Sequence, residues 1–265
     1  MLRLKTVLSV LLIFFFLVSF AQEKDDEHID SIGFYRELPE LGVLNIKKKA
    51  FFATVNIGAG IPIGSYVDGI DYIATFLAPQ ITISRRPTTG YMLSASFDKK
   101  WWKYFGLSVS GAFVSNSSDD TINRNLDYSD KGYKFVTAGI GPYFNYAFID
   151  RTLAFIRVQG GFTYAVFSAA ELNAVDGTTG NPARVDISQT TDVSYLLNIS
   201  GGIRFLMSNT VTMNLELGYQ HSQLLFENVE TTVTFNNQPP VDLQSNQFKL
   251  NYRQLFFSMG VGIAF

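Results

Sequence analysis

From Phe51 to Ile61 the odd positions are Phe51, Ala53, Val55, Ile57, Ala59 and Ile61, while the even ones between them are Phe52, Thr54, Asn56, Gly58 and Gly60. A repeat of two puts successive side chains on opposite faces, so this segment reads as a strand with one apolar face and one polar or small face. The pattern returns along the chain. Phe105, Leu107, Val109 and Phe113 oppose Gly106, Ser108, Ser110 and Ala112. Val136, Ala138, Ile140, Phe144 and Tyr146 oppose Thr137, Gly139, Gly141 and Asn145. Ile156, Val158, Phe162, Tyr164 and Val166 oppose Arg157, Gln159, Gly161 and Thr163. Further runs cover Val193–Phe205, Val211–Gln220 and Leu255–Phe265. They reach the roughly 9–11 residues that a tilted strand needs to cross a bilayer.

Side-chain volume decides which face is inside. In a soluble barrel the bulky residues fill the core; in a membrane barrel they face lipid around a polar interior. Here one face carries Phe, Tyr, Leu, Ile and Met, and the other is mostly Gly, Ser, Thr and Asn, which suits a narrow eight-stranded lumen. Charge is nearly absent from the apolar face, as expected where Lys or Arg at the bilayer midplane costs about 2–4 kcal/mol.

Loop lengths set the topology. Short connections fall at 98–104, 149–152 and 207–209, and long polar ones at 115–132, 168–192 and 221–248. This alternation matches short periplasmic turns and long external loops, with both ends of the barrel on the short-turn side. Ile73–Ser84 and Tyr91–Phe97 both look strand-like, which would give nine strands where closure needs an even number. Pro79 and Pro87 each remove a ladder donor, so Tyr91–Phe97, extended toward Gln80, is taken as strand two and 64–90 as the first external loop. The expected fold is an all-β, closed antiparallel transmembrane β-barrel of eight strands. Ten strands, with one drawn from 32–49, is the alternative.

The N-terminus says how such a chain reaches a membrane. Arg3 and Lys5 precede an apolar run from Val7 to Phe20, then Ser19-Phe20-Ala21 and the charged Glu23-Lys24-Asp25-Asp26-Glu27. This is the layout of a secretory signal peptide cleaved after Ala21. Residues 1–21 are then discarded, 22–49 form a periplasmic lead-in, and 50–265 form the barrel. Cleavage removes Arg3 and Lys5 from the 21 basic residues, leaving 19 against 23 acidic and a charge of −4. A chain this close to neutral lacks the basic stripe of a nucleic-acid binder. With no cysteine, disulfides, thiolate metal sites and thiol nucleophiles are excluded.

Three segments together resemble small Bacteroidetes outer-membrane β-barrel proteins of the porin family, OmpA/OmpX-like. They are the Phe-Ala-Gln cleavage region, the turn Phe97-Asp98-Lys99-Lys100-Trp101-Trp102-Lys103-Tyr104-Phe105, and the closing Phe256-Phe257-Ser258-Met259-Gly260-Val261-Gly262-Ile263-Ala264-Phe265. The resemblance covers 50–265 and implies fold more than function. It implies that Phe257, Val261, Ile263 and Phe265 form the signal read by the outer-membrane assembly machinery, and that no OmpA-type peptidoglycan-binding domain follows. Strand two departs from the family pattern.

Constellations able to carry chemistry are few. Gly58-Ala59-Gly60 and Gly139-Ile140-Gly141 echo phosphate loops, but no helix follows them and inward glycine is a packing feature. His28 and His221 are too far apart in the topology to share a metal. His221-Ser222 sits at the external rim, where a lipid-modifying enzyme would place a dyad; with no local partner motif the plain reading is rim polarity. Neither a catalytic residue nor a cofactor is expected.

Arg157 and Glu216 face inward at similar depth across Ser200. An unpaired charge in a dry lumen is costly, so they are expected to form an ion pair with Arg204 and Asn145 nearby, plugging the lumen; separate solvation by lumen water is the alternative. Periplasmic girdle residues are Trp101, Trp102, Tyr104 and Phe265, with Tyr164, Tyr195 and Tyr219 nearer the exterior. Val229–Phe235 and Val241–Leu250 alternate around a turn at 236–240, and Glu171–Val175 and Arg184–Ile187 do so more weakly. These form an external β-ribbon whose edge is open to a protein partner. The expectation is a non-enzymatic outer-membrane barrel for envelope structure or surface interaction, in contact with the lipid bilayer. A narrow pore for ions or small solutes is the alternative, ahead of a lipid-modifying enzyme.

Overall fold

The computed structural model describes residues 45–68, 70–74, 81–118, 127–130, 132–175, 182–235 and 239–265. The signal peptide with Ala21, most of the lead-in, His28, Gln80 and the loop-turn centres at 176–181 and 236–238 lie outside the described residues. In chain order the strands are β1 (Phe51–Pro62), β2 (Ile70–Ala74), β3 (Ile81–Arg85), β4 (Gly90–Lys100), β5 (Phe105–Asn116), β6 (Asp127–Asp130) and β7 (Tyr133–Ile149). Then come β8 (Thr152–Phe167), β9 (Ala170–Val175), β10 (Pro182–Ile187), β11 (Thr190–Leu206), β12 (Val211–Phe235) and β13 (Val241–Ala264).

Eight of these close a ring of antiparallel neighbours, β1-β4-β5-β7-β8-β11-β12-β13, with β13 returning to β1 through pairs such as Val55 with Val261. The fold is a closed eight-stranded antiparallel barrel. The ten-strand alternative fails, because β1 and β13 pair directly and Ile46–Lys48 forms one 3-10 turn. Strand two is β4. The strand-like stretch before it is a separate hairpin, β2 with β3, hydrogen-bonded to no barrel strand among the described residues.

The alternation becomes a division between inside and outside. Ile57 and Val261 are each 65% exposed, and Leu93, Ile140, Ile156, Ile199, Leu217 and Met259 also point outward; Thr54, Asn56, Ser108, Thr163, Ser200 and Asn214 on the opposite faces are buried. A soluble domain does not leave an apolar belt of this extent in water, so the barrel spans a bilayer. At one end of the belt stand Trp101, Trp102, Tyr104, Tyr146 and Phe265, all exposed, where amphipathic rings sit between hydrocarbon and water.

β12 and β13 have 25 and 24 residues, more than twice what a crossing needs. Their upper halves continue past the belt, and β12 pairs there with β10, β10 with β9, and β9 with β6. The ribbon expected from the third and fourth loops thus forms, and β6 of the second loop extends it. The inward ends of the barrel strands add to this sheet: Tyr133, Phe135, Phe167, Phe226, Leu250 and Tyr252 fill the long-loop end of the lumen and join Val185, Val229 and Val233 in one apolar cluster. The sequence pattern does not predict these inward rings: its alternating runs begin at Val136 and Leu255 and end at Val166, short of Tyr133, Phe135, Phe167 and Tyr252, and Phe226 falls in the 221–248 stretch read as loop.

Candidate functional site

The lumen is layered. Its short-turn end is closed by Ile46, Phe52, Tyr143, Leu153, Phe155 and Leu206, with the turn at Ile46 tied in by its N–H donating to the Asp150 carbonyl at 2.7 Å. At the other end Tyr66 enters the lumen from the first long loop. Gly64, at φ 58°, takes the left-handed conformation that glycine tolerates best and starts this turn. Tyr66 packs edge-on against Tyr133, Phe135 and Tyr252 at 5.3–6.0 Å and its hydroxyl donates to Asn116 Oδ1 at 3.2 Å. Burial, reinforced by the neighbouring Tyr252 and Tyr133 phenols, pushes its ionisation well above the ordinary tyrosine range.

Between the two apolar layers lies a charged one. Arg157 Nη1 donates to Glu216 Oε1 at 2.7 Å, and its Nη2 and Nε grip both oxygens of Asp98 at 2.7 and 3.0 Å. Arg204 Nη2 donates to the same Asp98 Oδ2 at 2.9 Å, and its Nε to Asn214 Oδ1 at 2.6 Å. Asn56 Nδ2 donates to Glu216 Oε2 at 3.3 Å and Arg157 Nη2 to Ser96 at 3.0 Å. Two cations thus face two carboxylates, so the group is neutral while Arg157, Arg204 and Asp98 are at most 2% exposed. Both guanidinium planes lie over rings: Arg157 over Phe155 at 4.4 Å, Arg204 over Phe52 at 4.3 Å. Such stacking with bidentate pairing suits arginine and not lysine. What remains open beside Arg157, Glu216 and Phe256 is a cavity of about 20 Å³, room for roughly one water.

No protein-family model matches this chain, and no curated protein does. Among solved structures it is similar to Neisserial surface protein A, at 11% identity over 81% of this chain and 97% of that one with a TM-score of 0.43. It is similar to Ail, the attachment invasion locus protein of Yersinia pestis, at 10% over 82% and 99% with a TM-score of 0.37. It is also similar to the outer membrane protein OprG from Pseudomonas aeruginosa, at 10% over 84% and 99% with a TM-score of 0.43. The likeness is distant. What the barrel does is therefore argued from its own residues.

Of the residues singled out in the sequence, Arg157, Glu216 and Arg204 share this network. Asn145 does not: it is buried nearer the short-turn end, with Nδ2 lacking any hydrogen bond. Asp98, which bridges both arginines, was missed because it opens the polar stretch Asp98-Lys99-Lys100 and was taken for turn. Parity marks it nonetheless, since Met92, Ser96 and Asp98 fall on one face of β4. Phe257, Val261, Ile263 and Phe265 face outward along β13. His221 and Ser222 are consecutive strand residues on opposite faces. His221 meets Tyr195 Oη at 3.0 Å on the outer wall and Ser222 is buried in the lumen, so they form no dyad.

Proposed function

We propose that this chain is a non-conducting, non-enzymatic outer-membrane barrel that holds its long-loop sheet at the cell surface for envelope structure or interaction with a partner. The observation that carries this reading is the layered lumen, with a neutral Asp98–Arg157–Arg204–Glu216 network between two apolar layers. A solute would have to strip these groups of their partners to pass. The signal-peptide layout ending at Ala21 and the outward stripe ending in Phe265 support export, recognition by the assembly machinery and residence in the outer membrane, with the short turns toward the periplasm.

The sheet β13-β12-β10-β9-β6 supports the interaction role. Its inner face buries Ala183, Val185, Ile187 and Val233, and Arg184 on the other face bridges Glu171 and Asp186 at 3.1 and 3.0 Å. A face fixed by pairing costs little ordering entropy on binding. Planar-bilayer recording tests the reading: the purified barrel should give no steady conductance, and a stable open level would overturn it. The second reading, a narrow pore, draws on lumen atoms with no protein partner, among them Asn56 Oδ1, Ser200 Oγ and Gln254 Nε2. It requires that same open level.

A further inference from the structure

The short-turn end carries a feature that sealing the lumen does not need. Among the described residues, Lys47, Lys48, Lys49, Lys99, Lys100 and Lys103 stand there against one exposed carboxylate side chain, Asp150, because Asp98 is buried in the network. Lys47 pairs with Asp150 at 2.9 Å. Lys100 and Lys103 meet no carboxylate within ion-pair distance among the described residues: Lys100 Nζ donates to the Lys47 carbonyl at 2.7 Å, and Lys103 Nζ lies 4.9 Å from the Tyr104 ring.

These lysines border a cleft with a built floor. β7 runs past the start of β5, whose pairing ends at Phe105 with Phe144; beyond it, the Asn145 N–H donates to the Tyr104 carbonyl at 2.9 Å. The notch so formed is a cleft of about 620 Å³ lined by Lys47, Lys100, Lys103, Trp101, Trp102 and Asn145. Beside the stacked rings of Tyr104 and Tyr146, 6.0 Å apart, lies an apolar groove of about 430 Å³ bordered on the outer wall by Phe144 and Ile156. Tyr104, Asn145 and Tyr146 line both spaces.

A cationic head site beside an apolar groove at the level of the aromatic girdle fits a molecule with an anionic head and a hydrocarbon tail. A free anion would leave the groove unfilled, and a zwitterionic headgroup would gain less from the lysines. We propose that this cleft binds an anionic phospholipid of the leaflet that the short turns face, the phosphate against Lys100 and Lys103 and one acyl chain along Phe144 and Ile156. The inference rests on membrane insertion, and on the periplasmic leaflet only through the orientation proposed above.

The chain has two tryptophans, Trp101 and Trp102, and both line the cleft, so they report on its occupant. The barrel is refolded into phosphatidylcholine vesicles containing a trace of phosphatidylglycerol, with the dibrominated acyl chains placed on one lipid or the other. Brominated phosphatidylglycerol should quench far beyond its share of the lipid. The preference should fall about fivefold for each of Lys100→Ala and Lys103→Ala, while the heat-modified gel shift still reports a folded barrel. Phe144→Ala should weaken it without a change of charge. Quenching in proportion to composition, or a preference abolished by inorganic phosphate at constant ionic strength, overturns the site. Failure of both lipids to quench means no insertion and overturns the membrane reading itself.

Discussion

Replacing Asp98 by Asn removes the carboxylate that both lumen arginines share. At N–O separations of 2.7 Å to Arg157 and 2.9 Å to Arg204, each attraction is worth about 6 kcal/mol gross at an effective dielectric near 20. Desolvation of the ions and the repulsion between the two arginines offset much of this. The amide keeps an acceptor, but the layer is left with two guanidinium groups against Glu216 alone. Removing one partner of a buried pair costs about 3–5 kcal/mol, and with Asp98 fully buried the cost should sit near the upper end. Glu216→Gln is the internal reference: it breaks one ion pair, at 2.7 Å, where Asp98→Asn breaks two, so its cost should be about 2 kcal/mol smaller. The assay is reversible urea unfolding in lipid vesicles, followed by fluorescence of Trp101 and Trp102. The double variant of Asp98→Asn with Arg204→Gln should lose less than the sum of the singles, because the second change removes a charge that the first left unpaired. Equal midpoints for Asp98→Asn and wild type, or a greater loss for Glu216→Gln, would refute a network centred on Asp98.

Tyr66→Ala should destabilise the barrel by about 3–5 kcal/mol, since it empties the centre of the Tyr133, Phe135 and Tyr252 ring cluster; a melting temperature unchanged from wild type contradicts this. Gly218→Val should cost about 3 kcal/mol in the same urea assay, because an added Cβ would meet the Phe256 ring and come within 2.7 Å of Ser200 Cβ. Val185→Asp, at a fully buried site of the loop sheet, should make the 168–192 loop sensitive to protease in intact vesicles while the heat-modified gel shift persists. Loss of the shift would mean that the loop sheet and the barrel fold as one unit.

The barrel was legible because lipid and lumen impose opposite demands on alternate residues, and eight runs of the chain obey them. Register followed from parity alone for Arg157, Arg204 and Glu216. Asp98 is hard to read because an acidic residue followed by two lysines has the composition of a turn, although its parity puts it on the inward face. Asn145 escaped in the other direction: it lies on the inward face, but depth along the strand separates it from the arginines, and depth depends on which residues pair across β7 and β8. The pairing of β10 with β12 joins Arg184 to Thr234 across 49 intervening residues. No local pattern carries such a contact, so the order of strands across the ribbon was not legible. The β2–β3 hairpin lies within the 64–90 stretch assigned to the first external loop, where the even strand count and the prolines decided what alternation could not, since a strand outside the barrel alternates like one inside it.

The absence of native cysteine lets single cysteines be placed along β13 without background. Spin labels at 254–261 in a lipid bilayer, read for accessibility to oxygen and to a water-soluble relaxant, test the central claim directly. Leu255, Phe257, Met259 and Val261 should show high oxygen accessibility and little contact with the aqueous relaxant, while Gln254, Phe256 and Ser258 should be shielded from both. Accessibility without a period of two, or with lipid contact at the even positions, would contradict a sealed barrel whose apolar face meets the membrane.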